Sequence, residues 1–341
     1  MMKYNLLGNT GLLVSELCLG TMTFGGKDPM SAAMGAIDYE TAERLVHEAL
    51  GAGINFFDTA NVYGGGESEE MLGRSLKGKR HEVVIATKSG FRMGPGPNQV
   101  GLSRVHIMQQ VEESLKRLGT DYIDLYQIHR PDPLTDWEEI LRTLDELVHS
   151  GKVRYTGCSN LQGWQIMKAN GISRQLGMHS FKSSQSYYSL AGRDVERDII
   201  PVLQDQKMGL LVWSPMAGGF LSGKYTRENQ GGAEDRRSKF DFPPVDREKG
   251  YDIIDVLQGI AAARETTAAR IALAWLLNQP AVTSVIIGAK RSDQLQDNLG
   301  ASGMVLSGDE LSRLEEISRL KPEYPLWNPL AYTEDRYPGT V

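Results

Sequence analysis

Ile123-Asp-Leu-Tyr-Gln-Ile-His129, then Trp137–Ser150, then Val153-Arg-Tyr-Thr-Gly-Cys-Ser159-Asn160: two short apolar runs enclose an amphipathic stretch with helical spacing. The outer runs read as strands, and the middle one, with apolar residues at i, i+3 and i+4, reads as a helix. The unit is βαβ. Working outward in both directions, the same alternation repeats. It predicts strands at Leu17–Gly20, Asn55–Asp58, Val83–Lys88, Ile123–Ile128, Val153–Ser159, Ser184–Tyr187, Leu210–Trp213 and Ser284–Gly288. Helical patterns include Tyr39–Ala52, Glu67–Lys77, Ser103–Leu118, Trp137–Ser150, Arg197–Lys207 and Ala268–Asn278, with Ser103 an N-cap and Gly119 a C-cap. Ahead of the repeat, Lys3–Leu7 and Leu12–Leu17 flank Gly8-Asn-Thr-Gly11 and predict a β-hairpin.

Eight near-continuous apolar strands, each followed by a helix, predict a parallel sheet covered by helices, closed as a barrel or open and doubly wound. An open dinucleotide-binding sheet usually carries G-x-G-x-x-G, and none occurs: Gly64-Gly-Gly66 and Gly94-Pro-Gly96 both lack the third glycine. The expectation is therefore a (β/α)8 TIM barrel with an N-terminal hairpin and long loops on the C-terminal face, one domain over residues 1–341. Two segments leave the repeat, the polar Ser214–Gly250 and the Pro- and aromatic-rich Lys321–Val341, and both read as functional loops.

The 341 residues are 40% hydrophobic and 23% charged, the composition of a globular chain with a substantial core. A net charge of −6 gives no basic excess of the kind nucleic-acid binding uses. Cys18 and Cys158 have neither disulfide-framework nor zinc spacing. Met1–Gly11 lacks the apolar core of a signal peptide, and no stretch has 18 uninterrupted apolar residues, so a soluble cytoplasmic protein is expected, with no nucleic acid and no membrane as partner.

In a parallel barrel the active site lies at the C-terminal ends of the strands. The second strand ends at Asp58 and runs into Thr59-Ala-Asn-Val-Tyr63, the third ends at Lys88, and the fourth ends at His129. A carboxylate after a strand is often an N-cap, a lysine is usually solvated, and a histidine is often structural. Four ionisable groups at the ends of three successive strands, on one rim, have a joint reading. A tyrosine is a poor acid unless a cation favours its phenolate. Lys88 supplies that cation, Asp58 holds Lys88 charged and oriented, and His129 donates to or orients a carbonyl, with hydride coming from a cofactor and no metal required.

The stretch Asp58-x-Ala-x-x-Tyr63-Gly64, with the Thr87-Lys88 and Leu125-Tyr-x-x-His129 strand ends, resembles the aldo-keto reductase tetrad. The resemblance extends over nearly the whole chain, through the opening hairpin, Gly157-Cys-Ser159-Asn160, Gln185, Trp213–Lys224 and Ile287–Asn298, and its wording is nearest to the branch containing potassium-channel β-subunit-like reductases. It implies Tyr63 as proton donor, Lys88 and Asp58 as its tuning pair, and His129 as the carbonyl-orienting group. It further implies that Gly20, Thr21 and Met22 border the cofactor, that Ser159, Asn160 and Gln185 bind the nicotinamide carboxamide, and that Trp213 stacks on its ring. Ser214, Pro215, Met216, Gly218, Leu221 and Lys224 would follow the pyrophosphate, and Ile287, Gly288, Lys290, Arg291, Gln294 and Asn298 the adenosine end. The hairpin would plug the barrel bottom. Where the aldose reductase branch has Pro-Lys-Ser, this chain has Gly288-Ala-Lys-Arg291.

Gly218-Gly-Phe-Leu-Ser-Gly223-Lys224-Tyr225 nearly matches a phosphate-binding P-loop, but Tyr225 replaces the Ser or Thr that binds Mg²⁺ and no helical pattern follows. Adjacent Lys290 and Arg291 suit a ribose 2′-phosphate and predict NADP(H) over NAD(H). Phe24, Phe91, Arg130 and Trp327 are expected to line a pocket for a small carbonyl or alcohol substrate. The expectation is an NADP(H)-dependent oxidoreductase interconverting an aldehyde or ketone and its alcohol. The alternative is a cofactor-binding redox sensor or partner-binding subunit with weak catalysis.

Overall fold

The computed structural model describes residues 2–27, 29–232 and 236–325. Strands β1 (Tyr4–Leu6) and β2 (Leu13–Ser15) pair antiparallel as the predicted hairpin. Eight further strands follow: β3 (Leu17–Gly20), β4 (Phe56–Asp58), β5 (Val84–Ser89), β6 (Ile123–Ile128), β7 (Val153–Ser159), β8 (Ser183–Tyr187), β9 (Gly209–Trp213) and β10 (Val282–Ile287). They close into a barrel in chain order, β10 pairing with β3, and every pairing is parallel. This is the expected (β/α)8 barrel, and closure rules out the open, doubly wound sheet.

The helices are α1 (Pro29–Met34), α2 (Tyr39–Gly51), α3 (Glu67–Ser75), α4 (Arg104–Leu118), α5 (Trp137–His149), α6 (Gly163–Gln175), α7 (Ile199–Asp205), α8 (Arg236–Lys239), α9 (Arg247–Ala263), α10 (Ala268–Leu277), α11 (Ser292–Leu299) and α12 (Gly308–Ser318). The α4 caps are those read from sequence: the Ser103 side chain accepts from the His106 N–H, and Gly119 ends the helix at φ 64°. Helix α6 carries no sequence signal because the face it buries is Gly163, Ile166, Ala169, Asn170 and Ser173, too small and polar to form a stripe. The polar Ser214–Gly250 stretch is more ordered than a loop, holding a 3₁₀ turn at Ala217–Ser222, α8 and the start of α9.

Alternation along the strands explains how the barrel interior is divided. Cys18, Phe56, Val84, Ala86, Leu125, Leu211 and Ile286 form one buried apolar cluster, joined by Leu7 and Val14 from the hairpin. The hairpin thus plugs the strand N-terminal end. Gly8, at the hairpin turn, packs closely at φ +58°, where an added Cβ would sit 2.5 Å from the Lys182 carbonyl oxygen. Two residues further along the same faces, with the period of two that strands impose, come Asp58 after Phe56, Lys88 after Ala86, Gln127 and then His129 after Leu125, and Trp213 after Leu211. Below is an apolar plug; above it, polar groups converge at the strand C-terminal ends. Among the described residues no helix is long and apolar enough to cross a membrane.

Candidate active site

The centre of the site is an ion pair. Lys88 Nζ lies 2.6 Å from Asp58 Oδ1, with side-chain exposures of 0% and 4%, and also donates to the Thr59 carbonyl at 2.6 Å. The second carboxylate oxygen accepts from Gln185 Nε2 at 2.7 Å and Gln127 Nε2 at 3.3 Å. A buried pair is tolerable only when such bonds satisfy its remaining polar atoms. Burial opposes the charge on Lys88, but Asp58 and Tyr63 outweigh it and hold the ammonium pKa above its ordinary value.

Tyr63 sits beside this pair, its ring centroid 5.1 Å from Lys88 Nζ and 5.7 Å from the His129 ring, which meets it edge-on. Its position follows from the glycines after it. Gly64, Gly65 and Gly66 all have positive φ, and a Cβ on Gly64 would approach the backbone of Phe24–Gly26 at 3.0–3.1 Å. Only glycine lets this turn close against the loop after β3. Burial raises the Tyr63 phenol, Lys88 lowers it and Asp58 raises it, with a net upward shift. The expectation that Lys88 makes the phenol a stronger acid is thus outweighed by burial, and the group is held as a protonated donor beside a fixed cation. His129 is pushed well below its ordinary value by burial, then by Lys88 and Arg130, so the imidazole is neutral at pH 7. Its Nδ1 is buried without a hydrogen-bond partner.

Around the tetrad, Asn160 ties three strand ends together. It donates from Nδ2 to the His129 carbonyl and to Ser159 Oγ, each at 3.0 Å, and accepts from Trp213 Nε1 at 3.1 Å. It does so at φ 58°, a conformation asparagine tolerates better than most residues. Ser159 Oγ donates to the Gln185 carbonyl at 2.9 Å. The Trp213 ring stacks on Phe242 and tilts against Tyr187. Ser214 accepts from the Gly218 N–H at 2.8 Å, shaping the turn that continues through Met216 to Lys224. In the segment expected at the adenosine end, Gln294 accepts from the Lys290 N–H at 2.9 Å and Asn298 donates to the Gly288 carbonyl at 3.2 Å.

Other expected contacts sit differently. Thr21 is fully buried and its hydroxyl bonds to the Asp58 carbonyl and to Ser68, so it braces the β4 end. Leu221 and Phe24 are fully buried in the main core, which gives both side chains a packing role. Phe91 lies edge-on to His129 at 4.6 Å, with the Arg130 guanidinium over its ring at 4.3 Å, bringing both expected pocket residues to the tetrad. Trp327 lies outside the described residues. Arg291, expected beside a phosphate, makes a two-pronged bond to Asp293 at 2.8–2.9 Å. Lys290 is half-buried, and burial, followed by Arg236, Lys224, Lys239 and Arg291, lowers its pKa. Sequence reading missed Gln127, Arg236, Tyr187 and Phe242. The period of two along β6 was the available signal for Gln127; the others need the fold.

A family model described as aldo/keto reductase matches residues 16–319. The relatives include the "Uncharacterized oxidoreductase YrpG" of Bacillus subtilis, 39% identical over 328 residues, 93% of this chain and 96% of that protein. The "Probable voltage-gated potassium channel subunit beta" of Arabidopsis thaliana is 35% identical over 338 residues, 95% and 99% of the two chains. The "Versiconal hemiacetal acetate reductase" of Aspergillus parasiticus is 35% identical over 340 residues, 92% and 96% of the two. With the family model spanning the barrel from β3 through α12, and relatives matched over more than nine-tenths of the chain, the chain belongs to the aldo/keto reductase family of oxidoreductases.

Proposed function

We propose that the protein is an NADP(H)-dependent reductase of aldehydes or ketones, able to run in reverse as an alcohol dehydrogenase, with Tyr63 as general acid and base. The observation that carries this reading is the buried Asp58–Lys88 pair held against Tyr63 and His129 at the barrel mouth. The reductase name of the Aspergillus relative points the same way.

The rim fits a dinucleotide. Asn160 and Gln185 place amide groups beside the tetrad. Across the mouth, Lys290 shares its surroundings with Arg236, Lys224, Lys239 and Arg291. Arg236 Nε is buried without a hydrogen-bond partner, and a Cβ on Gly288 would meet nothing within 4 Å, so a cationic wall borders open space. Such a wall suits an anionic end carrying a 2′-phosphate. The nicotinamide supplies a hydride to the carbonyl carbon when bound. This chain's residues do the rest. Neutral His129 donates to the carbonyl oxygen and orients it. Tyr63 gives its phenol proton to the developing alkoxide, and Lys88 stabilises the phenolate left behind. Asp58, Gln127 and Gln185 keep Lys88 charged and in place, and Phe91 closes the apolar side of the pocket.

The name of the Arabidopsis relative also supports a second reading, a partner-binding subunit in which turnover is slow. One assay separates the two. With 4-nitrobenzaldehyde and NADPH, followed by loss of cofactor absorbance, the wild type should turn over and Tyr63→Phe should lose about 10²- to 10⁴-fold in kcat, with cofactor affinity nearly unchanged. A Phe variant that keeps most of its activity refutes the assignment of Tyr63.

A further inference from the structure

Two histidines and one carboxylate converge on the side of the barrel away from the tetrad. Asp145 and His149 lie one turn apart on α5, and His179 lies in the segment between α6 and β8. Both α5, which ends at His149, and that segment, which leads into β8 at Ser183, reach the strand N-terminal end of the barrel, opposite the catalytic rim. His179 Nδ1 is 2.7 Å from Asp145 Oδ1, and His149 Nδ1 is 3.3 Å from Asp145 Oδ2. The two rings sit 5.1 Å apart at 71°. One ligand atom from each residue falls within 4.8 Å of the others.

We infer that Asp145, His149 and His179 form a binding site for one divalent transition-metal ion, with Zn²⁺ the cation their chemistry fits best. Imidazole nitrogen with a single carboxylate is a donor set for Zn²⁺ and its transition-metal neighbours, whereas Mg²⁺ and Ca²⁺ take oxygen cages. Zinc bonds of about 2.0–2.2 Å in tetrahedral array hold ligand atoms roughly 3.3 Å apart. The two nitrogen–oxygen separations, 2.7 and 3.3 Å, lie near or below that value, and the whole set falls within 4.8 Å, so binding needs the ligand atoms to shift by an ångström or so. The adjustment falls on exposed rings, His149 at 66% and His179 at 46%, and includes turning the His149 ring away from the Asp145 backbone carbonyl that its Nδ1 now approaches at 2.9 Å. Asp145 is fixed instead: its Oδ1 accepts from the His179 backbone N–H at 2.8 Å. Three protein ligands leave a coordination position for water. The bound ion would clip the end of α5 to the segment entering β8, across the weakly patterned α6.

The test is calorimetric titration of tag-free, chelator-stripped protein with ZnCl₂, and with MgCl₂ as control, beside thermal melts. One saturable Zn²⁺ site and a Tm that rises with Zn²⁺ are expected, with no response to Mg²⁺. His149→Gln and His179→Gln should each weaken binding by at least the roughly 10- to 100-fold that losing an outer-shell partner costs. Both substitutions are at exposed positions, and near-UV circular dichroism checks that the fold persists. His129→Gln, at the opposite face, should bind Zn²⁺ as the wild type does. Absence of a saturable site, an equal response to Mg²⁺, or full affinity in both the His149 and His179 variants overturns the inference. None of these readouts depends on catalysis, so the site stands or falls separately from the proposed activity.

Discussion

Asp58→Asn is the most informative perturbation of the site, because it keeps the shape and removes the charge. Lys88 is fully buried and its Nζ is 2.6 Å from Asp58 Oδ1. At that distance, with an effective dielectric of about 20, the attraction is about 6 kcal/mol. Desolvation offsets part of it, and removing one member of a buried pair typically costs about 3–5 kcal/mol. An amide also offers one oxygen where two now accept. If that oxygen stays on Lys88, the new NH₂ faces Gln185 Nε2, which presently donates at 2.7 Å. A loss of about 3–5 kcal/mol in urea unfolding is therefore expected, against a total stability of about 5–15 kcal/mol for an ordinary domain. The pH dependence is sharper than the size. In the wild type the folded-state pKa of Lys88 is raised, so its stabilisation is fully present below the unfolded lysine pKa and is lost as pH rises through the folded value. In the variant burial acts with less opposition, the folded pKa drops below the unfolded one, and the unfolded chain binds the extra proton. Stability of the variant relative to wild type should then rise between pH 7 and 9, by up to about 1.4 kcal/mol per pH unit. Parallel pH profiles, or a loss under about 1 kcal/mol, would show that Asp58 does not hold the charge on Lys88.

Four further variants have expected outcomes. Lys290→Ala should weaken NADPH binding, read by fluorescence quenching, by about ten- to a hundredfold, the equivalent of roughly 1.5–3 kcal/mol, and leave NADH nearly untouched. Arg291→Ala should do less, since Asp293 already engages that guanidinium; a variant that loses both cofactors alike refutes the 2′-phosphate assignment. Gly64→Ala forces a side chain into φ 57° and against the Phe24–Gly26 backbone, costing about 1–2 kcal/mol and displacing Tyr63; kcat should fall while urea unfolding stays cooperative, and unchanged kcat would mean the turn does not position the tyrosine. Glu69→Ala removes a fully buried carboxylate that accepts from Arg117 Nε at 2.7 Å and Thr87 Oγ1 at 2.5 Å, leaving the mostly buried guanidinium unpaired. The expected loss is about 3–5 kcal/mol in chemical denaturation, and a loss within 0.5 kcal/mol, the ordinary range for surface changes, would contradict that account.

Strand order, the hairpin, six of the helices and the convergence of Asp58, Tyr63, Lys88 and His129 on one rim were legible in the chain alone. The reason is local: a strand's period of two and a helix's period of 3.6 are written in successive residues, and a parallel barrel sends the residue ending each strand to one rim. Helix α6 escaped because its buried face holds Gly163, Asn170 and Ser173 in place of a hydrophobic stripe. What the fold alone decided were interactions between segments far apart in sequence. Gln185 reaches Asp58 across 127 residues, and Asn160 bonds to Trp213 across 53. The sign of the Tyr63 shift belongs here too: the sequence supplies Lys88 as a nearby cation, but how completely the ring is withdrawn from water is set by the closed barrel, and burial outweighs the cation. Likewise Lys290 and Arg291 read as equals in sequence. Arg291 pairs with Asp293, two residues on, which is a local contact; Lys290 is set apart by packing that brings Arg236, Lys224 and Lys239 from a distant segment into its surroundings, which no local pattern encodes.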